Sequence, residues 1–139
     1  MDKPTHMIEY ETMLLSRHRH VDRSAYILLS RIRLAGMMSI GQLSEAFGLD
    51  ASTLNRHTSA LLREGLAERI PDPEGGIARK FRITEAGERY LDDERARNIG
   101  GLEKVLADWT AEDVTAFAAF LKRFNTDIER LAGRPWPRP

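Results

Sequence analysis

The stretch "SIGQLSEAFGLDASTLNRHTSALLREGLAERI", residues 39 to 70, decides how the chain is read. Ser39 with Gln42 three places on has the spacing of a capping box, in which each side chain satisfies a free backbone N–H at a helix start. The helix so opened buries Leu43, Ala46 and Phe47 and stops at Gly48. Asp50 then has the place of a new N-cap, its carboxylate accepting from the N–H of Ser52 or Thr53. The second helix has an apolar face of Leu54, Leu61 and Leu62, with Thr58 between, and ends at Gly65. Its outer face carries Ser52, Thr53, Asn55, Arg56 and Ser59. A helix that only fills a core has no need of so many short polar groups on one side.

Outward from this pair, "LAERI", the turn "PDPEGG" and "IARKFRIT" follow. Ile77, Phe81 and Ile83 alternate with Ala78, Lys80 and Arg82, a period of two that predicts a strand with one wet face. Two strands joined by a Pro/Gly turn make a hairpin whose tip projects. Upstream, Ala25, Leu28, Leu29 and Ile32 have the spacing of a half-buried helix that ends at Gly36. A weaker pattern, Tyr10, Met13 and Leu14, precedes it. Downstream, a long helix is expected from near Thr84, with a stripe of Ile99, Leu102, Val105, Leu106 and Trp109. Thr110, with Asp113 at the capping-box position, starts a last helix bearing Val114, Phe117, Ala118, Leu121, Phe124, Ile128 and Leu131. Gly133 is expected to release residues 133–139, "GRPWPRP", as a flexible tail.

The 139 residues suit one domain with one core, and 42% hydrophobic with 30% charged residues is an ordinary globular balance. No apolar run is long enough to span a membrane, and no basic-then-apolar signal segment opens the chain. There is no cysteine, which excludes disulfides, thiolate metal sites and thiol redox switches and fits a cytoplasmic protein. Net charge is zero, so bulk charge does not coat nucleic acid, but a local basic face needs only a few Lys or Arg. No Gly-rich phosphate loop, HExxH, GxSxG or Cys/His cluster appears, so no catalytic residue, metal ligand or cofactor site is assigned. The acidic run Asp92, Asp93, Glu94 splays around a helix and reads as solvated surface.

Helix, helix, helix, hairpin is the order of a winged helix-turn-helix. The fold class expected is therefore mainly α with a small β-hairpin wing, flanked by long N- and C-terminal helices. The outer face of the fourth helix is then free to enter a major groove, where short side chains allow close approach. Arg56 suits a guanine edge, a phosphate or plain solvation. Asn55 suits an adenine edge; Ser52, Thr53 and Ser59 suit backbone or groove contacts; Arg63 suits a phosphate. In the wing, Arg79, Lys80 and Arg82 suit DNA contact, although exposed strands also carry such residues against edge pairing. The apolar stripe of the last helix is more than so small a chain readily buries alone, unless it packs on the first helix of the same subunit.

These segments resemble the MarR family of bacterial transcriptional regulators. "IGQLSEAFGLDASTLNRHTSALLREGLAER" is similar to the family's bracing and recognition helices, "FRITEAGERYL" to its segment after the wing, and "TAEDVTAFAAFLKRFNTDIERL" to its closing helix. The resemblance covers nearly the whole chain. It implies a homodimer on double-stranded DNA with a pseudo-palindromic operator. It also implies dimerisation helices over 1–21 and 88–132 and a DNA-binding lobe over 22–87. A small aromatic effector is implied as well, for which Met13, His18, His20, Tyr26, Met37 and Met38 mark the place to look. One departure stands out. Family wings commonly carry an acid and then a basic residue two places later, where this chain has Gly75 and Ile77, so Arg79 is left to substitute. The competing reading is a winged-helix module that binds protein and no DNA.

Overall fold

The computed structural model describes residues 3–18, 23–76 and 79–139. In chain order these form α1 (Pro4–His18), α2 (Ser24–Ala35), β1 (Met37–Met38), α3 (Ile40–Phe47) and α4 (Ala51–Arg63), then β2 (Ala67–Ile70), β3 (Lys80–Ile83), α5 (Glu85–Val105) and α6 (Ala111–Ala132). The mainly helical winged helix-turn-helix expected above is the architecture observed.

The local signals act as their chemistry dictates. Ser39 Oγ accepts from Gln42 N–H at 3.1 Å while Gln42 Oε1 accepts from Ser39 N–H at 2.9 Å, a complete capping box. Asp50 Oδ1 accepts from Thr53 N–H at 2.7 Å, and Thr84 and Thr110 cap α5 and α6 in the same way. α4 closes with Gly65 N–H on the Leu62 carbonyl and Leu66 N–H on the Leu61 carbonyl, the paired bonds of a Schellman ending. Gly65 has φ +73, which only glycine adopts at no cost.

The core lies between α2, α3, α4, the sheet and the start of α5. Leu28, Leu29, Ile32, Leu43, Leu54, Leu61, Phe81 and Leu91 are fully buried there. Each contributes roughly 1.5–3 kcal/mol by leaving water. Thr58 is buried too, and its hydroxyl donates to the Leu54 carbonyl at 2.8 Å, so no polar atom of it is stranded. Leu91, from the second turn of α5, belongs to this core as well. Arg33 ties α2 to α5 through Asp92 at 2.7 Å. By contrast, no residue of α1 or α6 is buried.

Three expectations are corrected. The sheet has three antiparallel strands in the order β1-β3-β2, because Met37 and Met38 pair with Arg82 and Phe81. α5 stops at Val105, leaving Leu106 and Trp109 in the connection to α6, where the Trp109 ring lies 5.5 Å from that of Phe117. The C-terminal segment is not a free tail: Trp136 packs edge-on against Phe47 with ring centroids 5.2 Å apart. Ile77 and Ala78, expected in the outer strand, lie outside the described residues.

The "ITEAG" segment gains a physical reading. Thr84 N–H donates to the Leu66 carbonyl at 3.1 Å, and Thr84 Oγ1 donates to the Gly65 carbonyl at 2.6 Å while accepting from Gly87 N–H. A Cβ on Gly87 would stand 2.1 Å from the Leu66 oxygen, a backbone atom that cannot yield. Gly87→Ala is therefore expected to destabilise the protein by about 1–3 kcal/mol through overpacking. Denaturant unfolding checks this, and an unchanged midpoint would contradict so tight a joint.

Candidate nucleic-acid interface

At about 100° per residue, Ser52, Asn55, Arg56, Ser59 and Arg63 fall within about 100° of arc on α4. Leu54, Thr58 and Leu61 occupy the far side and are buried. Ser52, Asn55, Arg56 and Arg63 are exposed; Ser59 is half-buried, as is Thr53 at the edge of the face. The sequence places these residues together and the fold leaves them uncovered. The reason is the one-sided burial of α4 against α3, β2 and α2.

Asp50 organises the start of this face. Its Oδ1 accepts from the Thr53 N–H and from Ser52 Oγ at 2.9 Å. The Thr53 backbone bond above all, with the Ser52 hydroxyl and the Arg56 charge adding to it, holds the Asp50 carboxyl below its ordinary range. The cap is thus intact above the ordinary carboxylate pKa and is lost only as pH falls through the lowered value. Arg56 and Arg63 have no ion-pair partner among the described residues, so the face is locally cationic on a chain of zero net charge.

The wing divides the expected cations. β2 and β3 pair antiparallel with Glu68 opposite Arg82 and Arg69 opposite Phe81. Glu68 holds Arg82 through Nε at 2.9 Å and a second, closer bond from Nη2. Lys80 is half-buried and lies 3.9 Å from Asp72. Asp72 turns inward over the hairpin, close enough that a Cβ on Gly76 would strike it. Arg79 is exposed and, of the three expected wing cations, is the one with no carboxylate partner among the described residues. The carboxylates Glu68 and Asp72 were missed in the sequence because their effect depends on strand register. Arg69 was missed too; its guanidinium lies 5.3 Å over the Phe81 ring and roofs the core.

Of the six residues marked for an effector, Met37 and Met38 line a cavity of about 630 Å³ with Arg31, Gln42, Glu45 and Arg134 among its walls. Met38 is also core. Tyr26 packs on the core beneath Arg23, and Met13 and His18 are exposed on α1. His20 lies outside the described residues. Among the described residues no group of His, Asp and Glu is placed to hold a metal ion, and no helix is long and apolar enough to cross a membrane.

Comparison with known proteins agrees with this geometry. The MarR family model matches residues 21–75. The HTH-type transcriptional regulator YxaD of Bacillus subtilis is 32% identical over 133 residues, covering 88% of this chain and 93% of that protein. The chain belongs to the MarR family. It is a transcriptional regulator of a class that acts by binding DNA and catalyses no reaction. A crystal structure of MarR superposes with a TM-score of 0.78 at 20% identity, over 96% of this chain and 97% of that one. A MarR family protein from Bacillus stearothermophilus gives 0.71 at 20% identity, over 92% and 99%. A mutant MarR from E. coli complexed with operator DNA gives 0.58 at 20% identity, over 76% of each chain. At these identities the likeness concerns the fold.

The charge arrangement sets a test for this MarR family wing. Arg79→Ala is expected to reduce the slope of log affinity against log salt by about one, as loss of one phosphate contact does. Arg82→Ala should change it less, because Glu68 already neutralises Arg82. Glu68→Gln should strengthen binding to non-specific duplex. Equal slopes for the Arg79 and Arg82 variants, measured by fluorescence anisotropy, would refute the division.

Proposed function

We propose that this regulator acts as a homodimer on a pseudo-palindromic operator, each subunit presenting α4 to a major groove and its wing to the flanking minor groove. The observation that carries the dimer is the state of α1 and α6. Phe117, Leu121, Phe124 and Ile128 recur at helical spacing on α6, yet Phe124 is 46% exposed and Leu131 79%. Met7, Tyr10 and Met13 on α1 and Leu102 and Val105 at the end of α5 are likewise uncovered. An apolar surface of this extent is not left in water by a stable monomer. Its coverage by a second copy would bury on the order of 2,000 Å² or more, the range of obligate dimers. The alternative, α6 packing on α1 within one subunit, has no support from their burial.

In such a dimer Arg56 and Asn55 read base edges while Arg63 and Arg79 hold phosphates. Ser52, Thr53 and Ser59 make groove or backbone contacts, and Lys80 and Arg82 steady the wing. The segments 1–21 and 88–132 carry the dimerisation helices. The cavity walled by Arg31, Met37 and Met38 is the place for a small aromatic effector, if the regulator is released by one.

Sedimentation equilibrium is expected to find dimers, and Phe124→Glu to produce monomers whose lobe stays folded. Arg56→Ala should cost roughly 1–3 kcal/mol of operator binding and relax preference at one base position in each half-site. Solitary subunits, or an unchanged preference, would overturn the reading. No DNA retention at low salt would favour the protein-binding alternative.

A further inference from the structure

The segment that follows α6 crosses back to the DNA-binding lobe of its own subunit. Gly133, at φ +70, turns the chain. Arg134 Nε then donates to the Glu45 carbonyl at 3.3 Å, on the bracing helix α3. The Trp136 ring meets Phe47 of α3 edge-on, and the Arg31 guanidinium of α2 lies 4.8 Å over the same indole. Nε and Nη1 of Arg31 are buried with no hydrogen-bond acceptor among the described residues, so the indole face is the partner they have. Burial lowers the Arg31 pKa from its ordinary value. The base of the segment is locked to α6. Trp136 N–H donates to Glu129 Oε1 at 2.9 Å, and Arg138 grips both Glu129 oxygens at 2.9 and 2.6 Å. The Arg138 bond first, then the Trp136 N–H, hold the Glu129 carboxyl down to about 2, so the lock persists at any physiological pH.

α5 also connects the lobe to the proposed dimer helices, and it has a soft point. Gly100 and Gly101 are adjacent in its interior, and at neither would a Cβ meet anything within 4 Å. Crowding within the subunit therefore does not demand them, and two glycines in sequence weaken a helix. They lie between Leu91, in the lobe core, and the exposed apolar end of α5.

We propose that residues 133–139 are a strap that pins the DNA-binding lobe to α6, with Trp136 as its latch, and so set the spacing of half-sites that the regulator accepts. This rests on the homodimeric, operator-binding reading above. Without the strap the lobe pivots about Gly100–Gly101. The two recognition helices then lose a fixed separation, and binding must pay the entropy of ordering them. Trp136 touches no DNA and is a positioning residue.

The test measures affinity for the selected operator, for versions with the half-sites moved one or two base pairs closer or farther apart, and for a lone half-site. Wild type, Trp136→Ala and Trp136→Phe are compared. Trp136→Ala is expected to lose at least about fivefold on the best spacing and to flatten the spacing profile, while lone half-site binding is unchanged. Trp136→Phe keeps a ring against Phe47 and should restore much of both. Acrylamide quenching supplies a readout without DNA: the emission lost in Trp136→Phe should come from a protected indole. A wild-type protein that binds DNA but shares its spacing profile with Trp136→Ala overturns the strap alone. An indole quenched as freely as an unfolded one also overturns it. A wild-type protein that binds no duplex overturns the operator reading, and the strap's role with it.

Discussion

α4, the wing and α5 meet at one joint, where Gly87 has no room for a side chain. The carbonyls of Gly65 and Leu66 are each taken by Thr84, and Gly87 presses its bare Cα toward the Leu66 oxygen. That contact fixes where α4 ends, where the hairpin springs from and in which direction α5 leaves. The positive φ of Gly65 and the missing Cβ of Gly87 are two halves of one constraint. A side chain at Gly87 would move the wing relative to the helix it flanks, and one at Gly65 would be strained by the positive φ.

On this frame the division of labour is electrostatic. α4 is anchored by Leu54, Thr58 and Leu61, so its charged side is free, and Arg56 and Arg63 form no ion pair among the described residues. The hairpin shows the reverse, with Glu68 and Asp72 drawing off Arg82 and Lys80 and Arg79 left alone. A chain with equal numbers of acidic and basic side chains thereby leaves positive charge without an ion pair on α4 and, in the wing, at Arg69 and Arg79. Contacts made by such fixed cations carry the salt dependence of binding, while hydrogen-bonding edges of Asn55 and Arg56 are suited to carry its sequence dependence.

What was legible in the sequence was what is decided locally. Ser39 with Gln42, Asp50, Thr84 and Thr110 each announce a helix start within four residues, and each is a cap in the structure. The helical stripes and the period of two around Phe81 needed only their own spacing. What was not legible depends on partners far along the chain. Met37 and Met38 are too short a run to show alternation, and become a strand only because β3 arrives beside them. The pairing of Arg82 with Glu68 follows from a register that the turn between them conceals. "GRPWPRP" has the composition of a loose end, and composition cannot reveal that Phe47 and Arg31 await its tryptophan. The stripe on α6 was visible, but no residue of α6 is buried among the described residues.

The central claim is that the uncovered face of α4 reads duplex DNA as one of a symmetric pair. Selection of bound fragments from random duplexes at stated salt tests it most directly. The expected result is an inverted repeat with half-site centres about one helical turn apart. Enrichment of a single unpaired half-site, of a direct repeat, or of no sequence at all would contradict it.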